Sequence, residues 1–272
     1  MSNFNFSAYI IIVASLFFIA LPILAADDQI EGIVQELVQI IGQQTRGDED
    51  QTGEKEKSPP QDTKTRKAIT VPPKSPIYAP PRRGAPVGRI AGGTRGILDE
   101  YPSLLCVITP EYTALTVRDQ PQFYWFLRKL TTYPIELTLI EENAIYPILE
   151  TRLKSPAAAG IQKIQLADYK VHLQPGLVYK WFIAIVPDSE RRSKDIIAWG
   201  AVQYIKISDE LKSKFSQFDK EKRFYVYAAA GIWYDAFSEI STLLEISPSD
   251  YRIKQLRDGF LEQVGLAEIT KY

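Results

Sequence analysis

The chain has 272 residues, 45% of them apolar, and a formal net charge of −1, so a globular core is expected and no whole-protein electrostatic bias draws it to nucleic acid. Its single cysteine, Cys106, excludes an intrachain disulfide, and its single histidine, His172, excludes a histidine metal cluster and leaves only that residue for any catalytic triad.

Residues 9–26 are apolar apart from Ser15, with Pro22 near the end and Ala25-Ala26 as a small-residue exit. This pattern predicts an export signal over 1–26, or an uncleaved anchor, because the 18 residues could just span a bilayer. The amino-terminal MSNFNFSAY carries no Lys or Arg, and Ile23 or Leu24 stands where a cleavage site prefers a small residue, so both readings stay open. Asp27 and Asp28 favour movement of the downstream chain across the membrane. The expected location is periplasmic or extracellular, with membrane contact only through residues 9–26 if they are retained.

Over 27–42, Ile30, Ile33, Val34, Leu37, Ile40 and Ile41 recur at helical spacing. The opposite face holds Glu31, Gln35, Glu36 and Gln39, and an interfacial membrane helix would carry Lys or Arg there. This amphipathic helix is expected to dock on protein. Residues 43–87 are first charged and then proline-rich, with prolines at 72, 73, 76, 80, 81 and 86. Such composition cannot bury enough surface to offset ordering entropy and predicts a disordered, partly polyproline II spacer.

GRIAGGTRG (88–96) looks like a phosphate loop, with Gly88 and Gly93 at the right separation, but Thr94 and Arg95 stand where the template needs Lys then Ser or Thr. The dinucleotide pattern fails at Ala91, and a proline-rich stretch replaces the upstream strand both templates need. The stretch is expected to mark where the folded body begins, with Arg89, Thr94 and Arg95 as structural anchors or as contacts to an anionic envelope component.

From Tyr101 the pattern becomes β, and the β domain is expected over 88–207. Strands are expected in 103–109, 122–128, 134–142, 144–153, 177–187 and 195–207, the last two joined as a hairpin by PDSERRSKD. Alternation puts Tyr179, Trp181, Ile183 and Ile185 on one apolar face. The expected body is an antiparallel β-sandwich, immunoglobulin- or fibronectin-like, in an overall α+β fold. Residues 208–272 form a C-terminal helical cap: Ser208 is an N-cap, and helices cover about 209–231, with a break near Gln217-Phe218, then 234–246 and 250–264. Trp233, Phe237, Ile240 and Leu244 make a buried stripe. Gly231, Tyr234, Ala236 and Pro248 fall as in half of a tetratricopeptide (TPR) repeat, giving a TPR-like helix pair, although one unit makes no array.

Candidate chemistry is thin. Neighbouring carboxylates at Asp99-Glu100 and Glu141-Glu142 point to opposite faces of a strand and read as solvated charge. His172 precedes a turn and reads as structural, and Cys106 as inert core. Tyr124 and Trp125, in Phe123-Tyr124-Trp125-Phe126, either stack sugars or face the core. Trp233 and Asp235 complete the candidate interaction or structural residues. No catalytic residue, metal ligand or cofactor is expected.

GRIAGGTRG, TALTVRDQPQFYWFL (113–127), LVYKWFIAIV, RSKDIIAWGAVQYI (192–205) and YAAAGIWYDAFSEISTLLEISPSD (227–250) together resemble the domain of unknown function 928 family, found mainly in cyanobacteria, over about 88–268. Where the family pattern often has a second cysteine after the Tyr-x-Trp strand, this chain has Ile185-Val186-Pro187. The resemblance implies domain limits and no activity. The expected function is a non-enzymatic interaction module tethered at the cell envelope, its partner an envelope protein or glycan. The alternatives are a carbohydrate or cell-wall binding module and an envelope hydrolase.

Overall fold

A strand whose residues alternate between apolar and polar must turn one face inward, as Ile135–Glu141 and Val178–Ile185 do. The computed structural model describes Tyr78 and residues 105–271 except 155–157 and 208. The signal or anchor (1–26), the amphipathic helix (27–42), the spacer apart from Tyr78, Arg89, Thr94 and Arg95, the Asp99-Glu100 pair and the Ser208 cap lie outside the described residues.

The fold is α+β. The strands are β1 (Leu105–Val107), β2 (Ala114–Thr116), β3 (Gln122–Leu127), β4 (Ile135–Glu141), β5 (Leu149–Arg152), β6 (Gly160–Gln165), β7 (Val178–Ile185) and β8 (Ile196–Tyr204). They form a three-stranded sheet, β1-β3-β6, and a five-stranded sheet, β2-β8-β7-β4-β5. Every pairing is antiparallel except β2 with β8, which is parallel, so the expected all-antiparallel arrangement fails at that edge. The reason is that the chain leaves the first sheet after Val107 and enters the second at Ala114, alongside β8 instead of folding back on a neighbour.

The expected strand at 144–153 shrinks to β5, because a tight turn closed by Ala144 N to Glu141 O at 3.0 Å ends at its start and is followed by Pro147, which cannot donate to a ladder. The predicted face of β7 is the core face: Tyr179, Trp181, Ile183 and Ile185 are buried, opposite Ile135, Leu137 and Leu139 of β4. Phe123 of β3 stacks on Trp181 of β7 with ring centroids 4.7 Å apart and planes 4° from parallel, joining the two sheets through their inner faces. On the opposite face of β3, Tyr124 meets Phe237 edge to face at 4.9 Å.

The helices are α1 (Asp209–Gln217), α2 (Lys220–Ala229), α3 (Trp233–Ile246) and α4 (Tyr251–Gln263). The break at 218–219 falls where the sequence places it. Asp250 caps α4 by accepting from Arg252 N at 2.9 Å. Gly231, at φ 71°, turns the chain between α2 and α3 through the left-handed region that closes helices. Trp233, Phe237 and Ile240 are buried as expected, and Leu244 is half-buried.

Tyr78 belongs to the body even though it lies within the proline-rich stretch. It is buried, its N–H donates to Gln263 Oε1 at 2.8 Å, and its ring meets Trp233 at 5.1 Å and Phe260 at 5.6 Å. Its large aromatic ring supplies the apolar area that this burial uses.

Gly200 of β8 lies opposite Trp181, and a Cβ there would sit 2.8 Å from Trp181 Nε1 and 2.9 Å from Thr109 Cγ2. Both neighbours are packed, so Gly200→Ala is expected to cost about 1–3 kcal/mol. Chemical denaturation checks this, and an unchanged midpoint would show that the indole has room to move.

Candidate functional site

Consecutive helical residues point roughly 100° apart, so three in a row can reach three different neighbours. The first turn of α3 uses this. Trp233, Tyr234 and Asp235 are all buried, and each bonds to a different part of the β body. Trp233 Nε1 donates to Ile108 O, just after β1, at 3.2 Å, while its ring stacks on Phe260 of α4 at 4.5 Å. The Tyr234 hydroxyl accepts from Trp181 Nε1 at 2.9 Å, donates to Ala201 O of β8 at 3.1 Å and lies 3.3 Å from Thr109 Oγ1. Burial pushes its pKa upward, opposed by the hydrogen bonds from Thr109 and Trp181.

Asp235 meets the end of β2. Its Oδ2 accepts from Thr116 Oγ1 at 2.8 Å and from Val117 N at 3.0 Å, and its Oδ1 lies 3.0 Å from Arg118 Nε. Arg118 Nη2 also reaches Glu239 Oε1, one helical turn along α3, at 2.8 Å. The Asp235 side chain is 0% exposed, Glu239 9% and Arg118 38%. Burial raises the Asp235 pKa, and Arg118, the Val117 N–H and Thr116 oppose it. For Arg118, burial lowers the pKa, but the carboxylates of Asp235 and Glu239 outweigh it and the net shift is upward. Beside them, burial lifts the Tyr227 hydroxyl to about 12, helped by the Asp235 charge. A second polar group continues along α3: Ser238 Oγ and the Tyr124 hydroxyl both donate to Gln122 Oε1, at 3.0 and 2.6 Å.

Chemically, Asp235 and Glu239 have the makings of an acid pair, being one turn apart on one helix face. Asp235, however, accepts two hydrogen bonds from the protein's own donors through Oδ2, while Oδ1 is ion-paired with Arg118 without a hydrogen bond, and Arg118 bridges the two carboxylates. The cluster is built to lock α3 onto the β2–β3 turn. Arg118, the most exposed of the three, has its guanidinium already engaged.

Of the residues singled out from sequence, Trp233 and Asp235 lie in this latch. Tyr124 and Trp125 are both 3% exposed, so neither offers a ring face to a sugar, and the stacking platform proposed for them does not exist. Alternation would free one of the two, but both faces of β3 are covered. Cys106 is buried. His172 is exposed, with Nδ1 2.7 Å from Asp119 Oδ2. Glu142 pairs with Lys180 at 3.2 Å. No group of three or more metal-ligating side chains is present among the described residues. Sequence reasoning missed Arg118, Glu239, Thr116 and Tyr234. The one available signal was two acids at i and i+4 on a helix already carrying a buried aromatic stripe.

A family model described as Domain of Unknown Function (DUF928) matches residues 90–272, close to the span suggested by the sequence motifs. No curated protein matches the chain.

Asp235→Ala leaves Arg118 with one carboxylate and two buried donors unpaired, and is expected to cost about 3–5 kcal/mol. Asp235→Asn retains an acceptor for Thr116 and Val117 and is expected to cost less, about 1–3 kcal/mol. Urea denaturation of the two variants checks this; equal losses would mean that charge, not hydrogen bonding, holds the latch.

Proposed function

The chain belongs to the DUF928 family, and we propose that it is a non-catalytic interaction module held at the cell envelope. One observation carries this reading: the Asp235 and Glu239 carboxylates are turned inward and paired with Arg118 within the fold, while large apolar side chains are turned outward on the β4–β5 hairpin. Ile145 is 86% exposed, Tyr146 79% and Ile148 43%. Leu177, 38% exposed, stands at the same end of the sheet, next to Val178, whose carbonyl accepts from Glu142 N at 2.9 Å. Apolar side chains gathered in a turn gain free energy only when something covers them.

The envelope location rests on the apolar run at 9–26 and the proline-rich stretch that follows. Among the described residues, no helix is long and apolar enough to cross a membrane. We read the two sheets as an immunoglobulin- or fibronectin-like sandwich, which the Phe123–Trp181 stack between them supports. We read α2 and α3 as a TPR-like pair, which the turn at Gly231 supports.

A photo-reactive residue at Tyr146 of the full chain, irradiated in envelope fractions, is expected to give an adduct of defined mass. The same probe at Tyr251, which is 68% exposed on α4, is expected to give none. No adduct at 146, or turnover of peptidoglycan or ester substrates by the purified chain, would contradict the reading.

A further inference from the structure

We propose that β5 pairs with β5 of a second copy of this chain, antiparallel about a two-fold axis through Thr151, joining two five-stranded sheets edge to edge. The proposal rests on the reading of the molecule as an interaction module and names the partner. β5 is the edge of the five-stranded sheet, bonded to β4 on one side. Leu153 N donates to Ile135 O at 2.8 Å, which fixes the phase of the ladder. By antiparallel alternation, Thr151 and Leu149 also turn their backbone groups toward β4, and Glu150 and Arg152 turn theirs outward.

An edge with outward groups at 150 and 152 can meet its own copy in few registers. With the axis at 150, Glu150 lies opposite Glu150 of the other copy; with the axis at 152, Arg152 lies opposite Arg152. Both place like charges in direct register, which is destabilising. With the axis at Thr151, Glu150 lies opposite Arg152 twice, by symmetry, and those two residues carry the backbone groups that face away from β4. On the other face the same register sets Leu149 opposite Leu153 and Thr151 opposite Thr151. These three are half-buried in the single chain, and Glu150 and Arg152 are exposed. Arg152 is only loosely held within its own chain, 3.6 Å from Glu136 with 64% of its side chain exposed. Charges at sheet edges usually block pairing. Here their order along the strand makes the edge complementary to itself. The exposed Ile145 and Tyr146 lie just beyond this edge, on the hairpin that leads into it.

The test uses the full chain, purified in mild detergent, in four forms. Sedimentation is expected to show a dimer for the natural chain. Glu150→Arg alone and Arg152→Glu alone are each expected to weaken it at least tenfold, and an equal mixture of the two variants to restore it, because each then supplies the charge the other lacks. Thr151→Cys is expected to form an interchain disulfide on mild oxidation, over a background set by the buried Cys106. A chain that stays monomeric at every concentration, or a dimer indifferent to the charge reversals and to the mixture, would overturn the proposal. A Tyr146 adduct to a different protein together with a monomeric chain would sink this inference and leave the interaction reading standing.

Discussion

The first turn of α3 is the point on which the structure depends. Three successive side chains leave the helix in three directions and end just after β1, on β7 and β8, and on β2, so one helical turn is bonded to segments of both sheets. Tyr234 is the most exacting of the three. Its hydroxyl accepts from one indole and donates to one carbonyl, and both partners are in the interior, where an unmade hydrogen bond costs the full desolvation of the group left behind. Asp235 carries the charge, and that charge is tolerated because Arg118 is delivered to it by the turn that ends β2.

Other features follow from this anchoring. Trp181 must lie flat over β8 to reach Tyr234, which is why Gly200 stands beneath it and why Phe123 can stack on it from the opposite sheet. Trp233 must face α4 to reach Ile108, and so presents its ring to Phe260, with Tyr78 completing the aromatic group. The parallel pairing of β2 with β8 also makes sense here. It brings Thr116, Val117 and Arg118 to the amino-terminal end of α3, where two hydrogen-bond donors and one guanidinium meet one carboxylate.

Much of this could be read from sequence where the pattern is local. β7 shows its inner face by alternation, and α3 shows its buried stripe by helical spacing, because in each case one element contacts one core. The latch could not be read, because Thr116 and Asp235 are 119 residues apart and no period links them. β2 is three residues long, too short to show any period, and β6 has one buried residue, Ile164, in a run of polar neighbours. Tyr124 and Trp125 invited a surface role because strands usually leave one face open. Here sheet packing covers one face of β3 and helix packing the other. Tyr78 was hidden by the company it keeps: proline-rich composition describes the stretch and says nothing of a single aromatic able to reach a slot.

The proposed interaction role rests on a contrast between the inside and the outside of this fold. Asp235 accepts two hydrogen bonds through Oδ2 and pairs with Arg118 through Oδ1, so its charge holds the fold, while exposed apolar side chains stand on a hairpin at the sheet edge. The central claim is that the turn at 233–235 makes sheets and helices one cooperative unit. Hydrogen exchange of the full chain under mild denaturant tests it most directly. The account predicts that amides of Ile108, Trp181, Val202 and α3 exchange through one common opening with one free energy. Release of the α2 and α3 amides in a separate, lower-energy opening, with both sheets still protected, would contradict it.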